Sequence, residues 1–227
     1  MKSRFSIAID GPAGAGKSTV ARQVAERLGL TYVDTGAMYR AITWKALQQN
    51  IDLQDEQTVS RLARETDIQL APGKTGTDIW VDGKKVTDEI RTPEVTAKVS
   101  LIAGQPEVRE VLVEKQQEMA CRREVVMDGR DIGTHVIPDA DVKVFLTASI
   151  EERAQRRYRE SIRRGFEMDW EQLKEEIRLR DEKDQRRKHS PLRPAEDAVH
   201  LDTTGLSIEE VVEEILNLSR TKVGGGE

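Results

Sequence analysis

The sequence predicts an α/β protein in which strands and helices alternate, interrupted once by a small antiparallel insertion. Three observations predict it. A short apolar run, Phe5-Ser6-Ile7-Ala8-Ile9-Asp10, leads through a glycine-rich turn into a helix pattern with Val20, Val24 and Leu28 on one face. Apolar runs followed by helical patterns return at Thr31–Leu47, from Asp141 onward and at Ala198–Leu216. Between Ile68 and Val86 the texture changes to strand alternation around Asp82-Gly83, a strong hairpin signal.

The first turn carries the chemistry. Gly11-Pro12-Ala13-Gly14-Ala15-Gly16-Lys17-Ser18 fits the phosphate-loop pattern G-x-x-x-x-G-K-[ST] at every fixed position, in the strand–loop–helix context that the motif requires. The glycines allow backbone conformations closed to other residues, so that loop N–H groups converge on phosphate oxygens at the positive end of the helix. Lys17 reaches the β- and γ-phosphates in such a loop, and the Ser18 hydroxyl ligates Mg²⁺. The pattern implies a nucleoside triphosphate. It leaves the fate of the γ-phosphate open.

Composition narrows the classes. At 227 residues the chain can bury a substantial core, as one domain or one domain with an insertion. Charged residues are 34% and aromatics 4%, as in a helix-rich protein with a modest aromatic core. A net charge of −5 supplies no global basic field for nucleic acid or membrane. The single cysteine, Cys121, excludes an internal disulfide and a zinc cluster, and reads as a small residue packed near a helix end. Met1-Lys2-Ser3-Arg4 lacks the apolar stretch of a signal peptide, and no run is long enough to span a bilayer, so the cytoplasm is the expected compartment. His135, His189 and His200 lie at no metal-ligand spacing from one another. Lys222 to Glu227 reads as a frayed tail.

Taken in order, Thr31-Tyr32-Val33-Asp34 is a second strand, broken by Thr35-Gly36 before a helix from Ala37 to Leu47. That helix sets Tyr39 and Arg40 near the strand's carboxyl end, where open α/β sheets bind ligands. Asp55–Glu65 is helical. The hairpin unit follows, with Trp80 packing its sheet. Thr92 caps a helix with Pro93 at its first position, and Gln105-Pro106 starts another that runs to about Cys121. Glu124–Asp128 is a buried strand ending in an acid, which resembles the magnesium-holding acid of phosphate-loop enzymes. Arg130 and Asp131 stand directly after it between Gly129 and Gly133, a density of charge that a plain turn rarely needs. Ser149 and Glu152 form a capping box, and so do Ser207 and Glu210. Two charged helices span Ser149 to about Arg163-Arg164 and Asp169 to about Arg187. Most of their charges read as a solvated, salt-bridged face, although arginines beside a strand end also suit phosphoryl transfer.

The segments Gly11–Ser18, Asp34–Arg40, Asp128-Gly129-Arg130-Asp131-Ile132-Gly133 and Arg180-Asp181-Glu182-Lys183-Asp184-Gln185-Arg186-Arg187 resemble the bacterial-type cytidylate kinases, within the nucleoside monophosphate kinases. So does the hairpin insertion within Ile68–Val99. The resemblance runs from Phe5 to about Leu218. It implies a doubly wound, five-stranded parallel sheet, a monophosphate-binding insertion with an antiparallel hairpin, and a helical lid. It also implies a core of residues 1–34, 104–150 and 190–221, a monophosphate-binding region at 35–103, a lid with flanking helices at 151–189, and a flexible tail at 222–227.

The implied reaction moves the γ-phosphoryl group of ATP, with Mg²⁺, to CMP or dCMP in a monomer that binds neither nucleic acid nor membrane. Carried over residue by residue, Gly11, Pro12, Ala13, Gly14, Ala15, Gly16, Lys17, Ser18 and Thr19 bind the donor, and Arg157 with Arg153 closes over ATP. Arg40, Arg130 and Arg187 hold the CMP phosphate. Ser100, Arg109 and Asp131 read the cytosine edge, Thr35 and Tyr39 line that pocket, and Arg180 and Asp184 reach the sugar. Ser18 and Asp128 hold the metal, while Lys17, Arg130, Arg157 and Arg187 supply the catalytic charges. The family more often has serine at the position of Thr35, and the hydroxyl survives.

Two other classes are open to a phosphate loop. A shikimate-type kinase changes only the acceptor, and the hairpin insertion argues against it. A switch GTPase needs N-K-x-D, which is absent, and a motor ATPase needs a glutamate where Gly129 stands. A basic, aromatic-studded face for nucleic acid is also missing.

Overall fold

The computed structural model describes residues 5–73, 76–163, 165–166 and 168–224; Met1–Arg4, Arg164 and the end of the expected tail lie outside the described residues. In chain order the elements are β1 (Ser6–Asp10), α1 (Lys17–Leu28), β2 (Thr31–Asp34), α2 (Thr35–Gln48), α3 (Glu56–Glu65), β3 (Ile68–Gly73), β4 (Gly76–Val81), β5 (Lys84–Lys85), α4 (Pro93–Ile102) and α5 (Pro106–Arg122). Then come β6 (Val125–Gly129), β7 (Val142–Thr147), α6 (Ile150–Arg163), α7 (Trp170–Gln185), β8 (Val199–Asp202) and α8 (Ile208–Gly224), with a single π turn at Ile132–Val136 after β6. Packing divides the chain into two compact units, Met1–Tyr32 with Arg123–Glu227, and Val33–Arg122.

The first unit is built on a five-stranded sheet of order β2-β6-β1-β7-β8. β6 and β7 flank β1 in parallel, and β8 pairs in parallel with β7. Ile7, Ala8 and Ile9 of β1 are fully buried. Such an unbroken apolar run belongs to a central strand covered on both faces. Val20 and Val24 of α1 and Val212 and Ile215 of α8 pack on Ile7, Val126, Val144 and Leu146 in one cluster. Each such side chain contributes roughly 1.5–3 kcal/mol. The chain leaves β1 toward β2 on one side and reaches β7 on the other, which makes the carboxyl end of β1 a topological switch point. Helices α6 and α7 pack through Ala154, Leu173 and Ile177, joined by a turn at Gly165 with φ +78°.

The second unit packs α2, α3, α4 and α5 with the antiparallel sheet β3-β4-β5. Its core gathers Ile42, Val59, Ile79, Ile90, Ile102 and Leu112. Asp82 and Gly83 take φ +50° and +77°, the left-handed pair of a two-residue hairpin turn, as the sequence predicts. Helix α5, grouped with the core by the resemblance, packs on α3 and lies in this unit.

Four local expectations change. Thr35-Gly36 does not break the chain but opens α2, because the Asp34 side chain accepts from Ala37 N at 2.8 Å and caps the helix two residues earlier. Ser149 caps α6 by accepting from Glu152 N at 3.1 Å, but the reciprocal half of the box is missing: Ser149 N donates to Thr204 Oγ1, and Glu152 pairs with Arg156. Cys121 is exposed. Helix α8 extends into the expected tail, to Gly224. The Ser207–Glu210 box forms in full. The charged face of α7 carries surface pairs of Arg178 with Glu175 and Glu182, which add little stability.

Candidate active site

Gly11 turns the chain out of β1 at φ +145°, and a Cβ there would stand 2.1 Å from the Leu146 carbonyl oxygen, so the neighbouring strand admits only glycine. The loop ends at Gly16, which caps α1 from the left-handed region at φ +91° with no side chain bonded to the helix end. Helices α2, α3, α4 and α7 each have an Asp or Thr side chain on that end. The first turn of α1 also lacks an acid, so its N–H groups and dipole remain available to an anion.

Lys17 opens that helix, and its Nζ donates to the Pro12 carbonyl at 2.7 Å. Burial, reinforced by the charge of Arg130, pushes its amine down to about 7. Ser18 is exposed, and Thr19 is half-buried beside it. Ser18 Oγ donates to Asp128 Oδ2 at 2.8 Å, and the Tyr32 hydroxyl donates to Oδ1 of the same carboxylate at 2.7 Å. The lysine, the serine and the strand-end acid named from the sequence therefore converge.

Asp10 was not singled out in the sequence, yet it ends β1, while Asp128 stands one residue before the end of β6. Its carboxylate accepts from Ile132 N and Gly133 N, each at 2.8 Å, and so ties the turn that follows Arg130 and Asp131 to the root of the phosphate loop. Burial pushes its carboxyl up to about 6 against those two bonds. An acid closing an otherwise apolar strand was the available signal.

Arg130 Nε donates to Asp184 Oδ2 at 2.9 Å, its Nη1 donates to the Gly129 carbonyl at 3.2 Å, and Arg187 pairs with the other oxygen of Asp184. Asp184 is fully buried. Burial pushes its carboxyl up, but the guanidinium groups of Arg130, Arg187 and Arg180 outweigh that and hold it below the usual carboxylate range. Arg180, Asp184 and Arg187 on and just after α7 thus join Arg130 in one charged cluster. Asp131 beside it is buried.

The arginines of α6 divide by role. Arg153, expected over ATP, is 5% exposed: Nη1 donates to the Ala13 carbonyl at 3.2 Å and to Asp181 at 2.5 Å, and Nε to the Ala148 carbonyl at 3.0 Å. Arg156, which sequence reasoning passed over, donates to the Ala15 carbonyl at 3.3 Å and to Thr203 Oγ1 at 3.0 Å. Thr203 Oγ1 lies 3.4 Å from the same Ala15 carbonyl. Arg157 is half-buried. Burial lowers its guanidinium pKa, the charge of Arg130 adds to that, and Glu160 and Glu176 act against it.

In the second unit, Thr35 and Tyr39 are buried on α2. Arg40 Nη1 donates to Thr96 Oγ1 at 2.8 Å. Arg109 is buried on α5, with its Nη1 on the Ala103 carbonyl at 3.0 Å and its guanidinium 5.5 Å from the centre of the Tyr39 ring. Ser100 is half-buried on α4. Tyr39 and Arg109 are thereby brought together, Arg40 is turned toward α4, and Ser100 shares that helix with Thr96.

A phosphate loop at the switch point of a parallel sheet, with its lysine and serine facing a strand-end acid, places the molecule among phosphate-loop nucleotide-binding proteins. Residues 7–221 match the cytidylate kinase family, and the chain belongs to it. It is 56% identical to the cytidylate kinase of Geobacillus kaustophilus (strain HTA426), over 99% of this chain and all of that one. Against the cytidylate kinase of Bacillus subtilis (strain 168) identity is 54%, covering 98% and 99%. An uncharacterized protein from Eubacterium ventriosum ATCC 27560 shares the fold alone, with 10% identity, a TM-score of 0.53 and coverage of 94% and 97%. No helix among the described residues is long and apolar enough to cross a membrane.

Proposed function

We propose that the chain transfers the γ-phosphoryl group of ATP to CMP or dCMP, giving CDP or dCDP and ADP. The observation that carries this reading is the proximity of two anion-binding sets in the first unit: Lys17 on the uncapped end of α1, and Arg130, whose charge acts on it, in the cluster with Asp184 and Arg187. Gly11 to Thr19 hold the donor phosphates, where Lys17 exchanges the Pro12 carbonyl for β- and γ-oxygens. Arg130 and Arg187, oriented by Asp184, take the acceptor phosphate, and the resemblance gives Arg40 the same task. Arg157 closes over the donor. Arg153, bonded to the loop through the Ala13 carbonyl, lies with it on the donor side.

Ser18 and Asp128 offer only oxygen, and the serine proton is already committed to the carboxylate, leaving hydroxyl lone pairs for a hard cation. The pair fits Mg²⁺, which when bound neutralises charge on the donor phosphates. The acceptor phosphate is itself a competent nucleophile, so no strong general base is required. Positioning and charge neutralisation carry the catalysis.

Arg109, Ser100 and Asp131 keep the base-reading role that the resemblance gives them, with Thr35 and Tyr39 lining the pocket and Arg180 and Asp184 reaching the sugar. Cytosine offers an amino donor to Asp131, where uracil offers a carbonyl, and an unmade buried bond disfavours UMP. The working form in this reading is a single copy in the cytoplasm, as the resemblance implies.

Coupled ADP release with ATP and Mg²⁺, offering CMP, dCMP, UMP, AMP and shikimate separately, tests this. Fast turnover with CMP and dCMP alone is expected, and Asp131→Ala should narrow the gap between CMP and UMP. Turnover with shikimate, or with no acceptor, would overturn the reading.

A further inference from the structure

We propose that Tyr32 is a positioning residue for the divalent cation that accompanies the nucleotide, acting through Asp128. The proposal rests on the reading of Ser18 and Asp128 as the cation's protein ligands.

Asp128 is the penultimate residue of the buried strand β6 and is 4% exposed. A carboxylate near the end of a strand can still turn about its last bond, and that rotation decides which oxygen faces a cation. Here both oxygens are held, from different elements. Ser18, in the first turn of α1, donates to Oδ2 at 2.8 Å, and Tyr32, on β2, donates to Oδ1 at 2.7 Å. The Ser18 bond ties Oδ2 to the first turn of α1, and the Tyr32 bond ties Oδ1 to β2, so the two together fix the plane of the group.

Tyr32 suits the task. Its ring is half-buried against the apolar cluster beneath the sheet, so packing sets where the hydroxyl stands. A phenol keeps its proton at neutral pH, so it can donate to the carboxylate. Partners behind a metal ligand orient it, and losing one typically costs 10- to 100-fold in metal affinity or activity. Nothing in the motif around Gly11–Ser18 marks a tyrosine on the next strand for this work.

The test compares Tyr32→Phe, Asp128→Asn and the double variant with the unaltered chain. Mn²⁺ binding to the complex with a non-hydrolysable ATP analogue is followed by electron paramagnetic resonance, which requires no turnover. The Mg²⁺ dependence of CMP phosphorylation is measured alongside. Tyr32→Phe should weaken Mn²⁺ about tenfold and raise half-saturating Mg²⁺ by a similar factor, with the KM for CMP unchanged. In the Asp128→Asn background it should add nothing, because its effect passes through the missing charge. Unchanged Mn²⁺ affinity in Tyr32→Phe, with a clear loss in Asp128→Asn, would overturn the role of Tyr32 and leave the cation site standing. An additive loss in the double variant, or a matching rise in the KM for CMP, would reduce Tyr32 to general support of β2 and overturn it as well. No loss in Asp128→Asn would remove the cation reading itself, and the Tyr32 role with it.

Discussion

Arg130 Nε donates to Asp184 Oδ2 at 2.9 Å, so a cation at the end of a strand is held by an anion 54 positions further along the chain. Asp184 has no exposure of its own and balances Arg187 as well. The carboxylate sets the direction of two guanidinium groups that the proposed reaction needs.

Removing that anion should therefore loosen the fold and the acceptor site together. Breaking a buried ion pair from one side costs about 3 kcal/mol. Asp184→Ala should lower the melting midpoint by about 6 to 12 °C for a chain of this length. It should raise the KM for CMP well beyond any change in the KM for ATP. Differential scanning calorimetry and initial rates check the two halves, and an unchanged KM for CMP would refute the orienting role.

Lys17 makes a prediction about protons. Its amine is pushed down to about 7 by burial first and by the charge of Arg130 next. A bound triphosphate restores the charged form. Binding of ATP near pH 8.5 should then draw close to one proton onto Lys17, and almost none below pH 6, where the amine is already charged. Calorimetry in buffers of different ionisation enthalpy measures the uptake. Subtracting the Lys17→Met profile removes the protons that belong to ATP. Equal profiles for the two proteins would show that Lys17 is charged before the nucleotide arrives.

Asp10 makes a prediction about stability. Its folded carboxyl titrates at about 6 against an ordinary value of 3.8, chiefly because of burial. The folded chain thus binds a proton that the unfolded chain has released between those two values. The stabilising contribution is complete below pH 3.8 and fades as pH rises through 6. Relative to Asp10→Asn, the chain should lose up to about 3 kcal/mol between pH 4 and pH 7. Urea denaturation of both proteins across that range would show it. A difference that stays flat would mean that Asp10 ionises as an ordinary carboxyl.

Much of the architecture is legible in the chain because it follows from short-range rules. Gly11–Ser18 declares itself by a spacing that backbone sterics impose. Asp82-Gly83 declares the hairpin because few other pairs tolerate two positive φ angles. Thr92, Asp169 and Ser207 declare helix starts through bonds made within a turn. Thr35-Gly36 misled for the same reason: a glycine reads locally as a break, and only the Asp34 bond to Ala37 makes it a first turn.

The sequence by itself determined the phosphate loop, the order of strands and helices, the hairpin insertion and, by resemblance, the family. Tertiary structure alone decided what each charge does. Arg178 and Arg187 each follow an acid by three residues, yet one forms surface pairs and the other shares a fully buried Asp184. Arg153 and Arg156 turn to loop carbonyls 140 and 141 positions away, and Asp10 finds its donors 122 and 123 positions away. Periodicity tells which face of an element is covered. What covers it, and whether a charge there meets water or another charge, is settled only when distant segments pack, because burial sets the strength of every polar interaction.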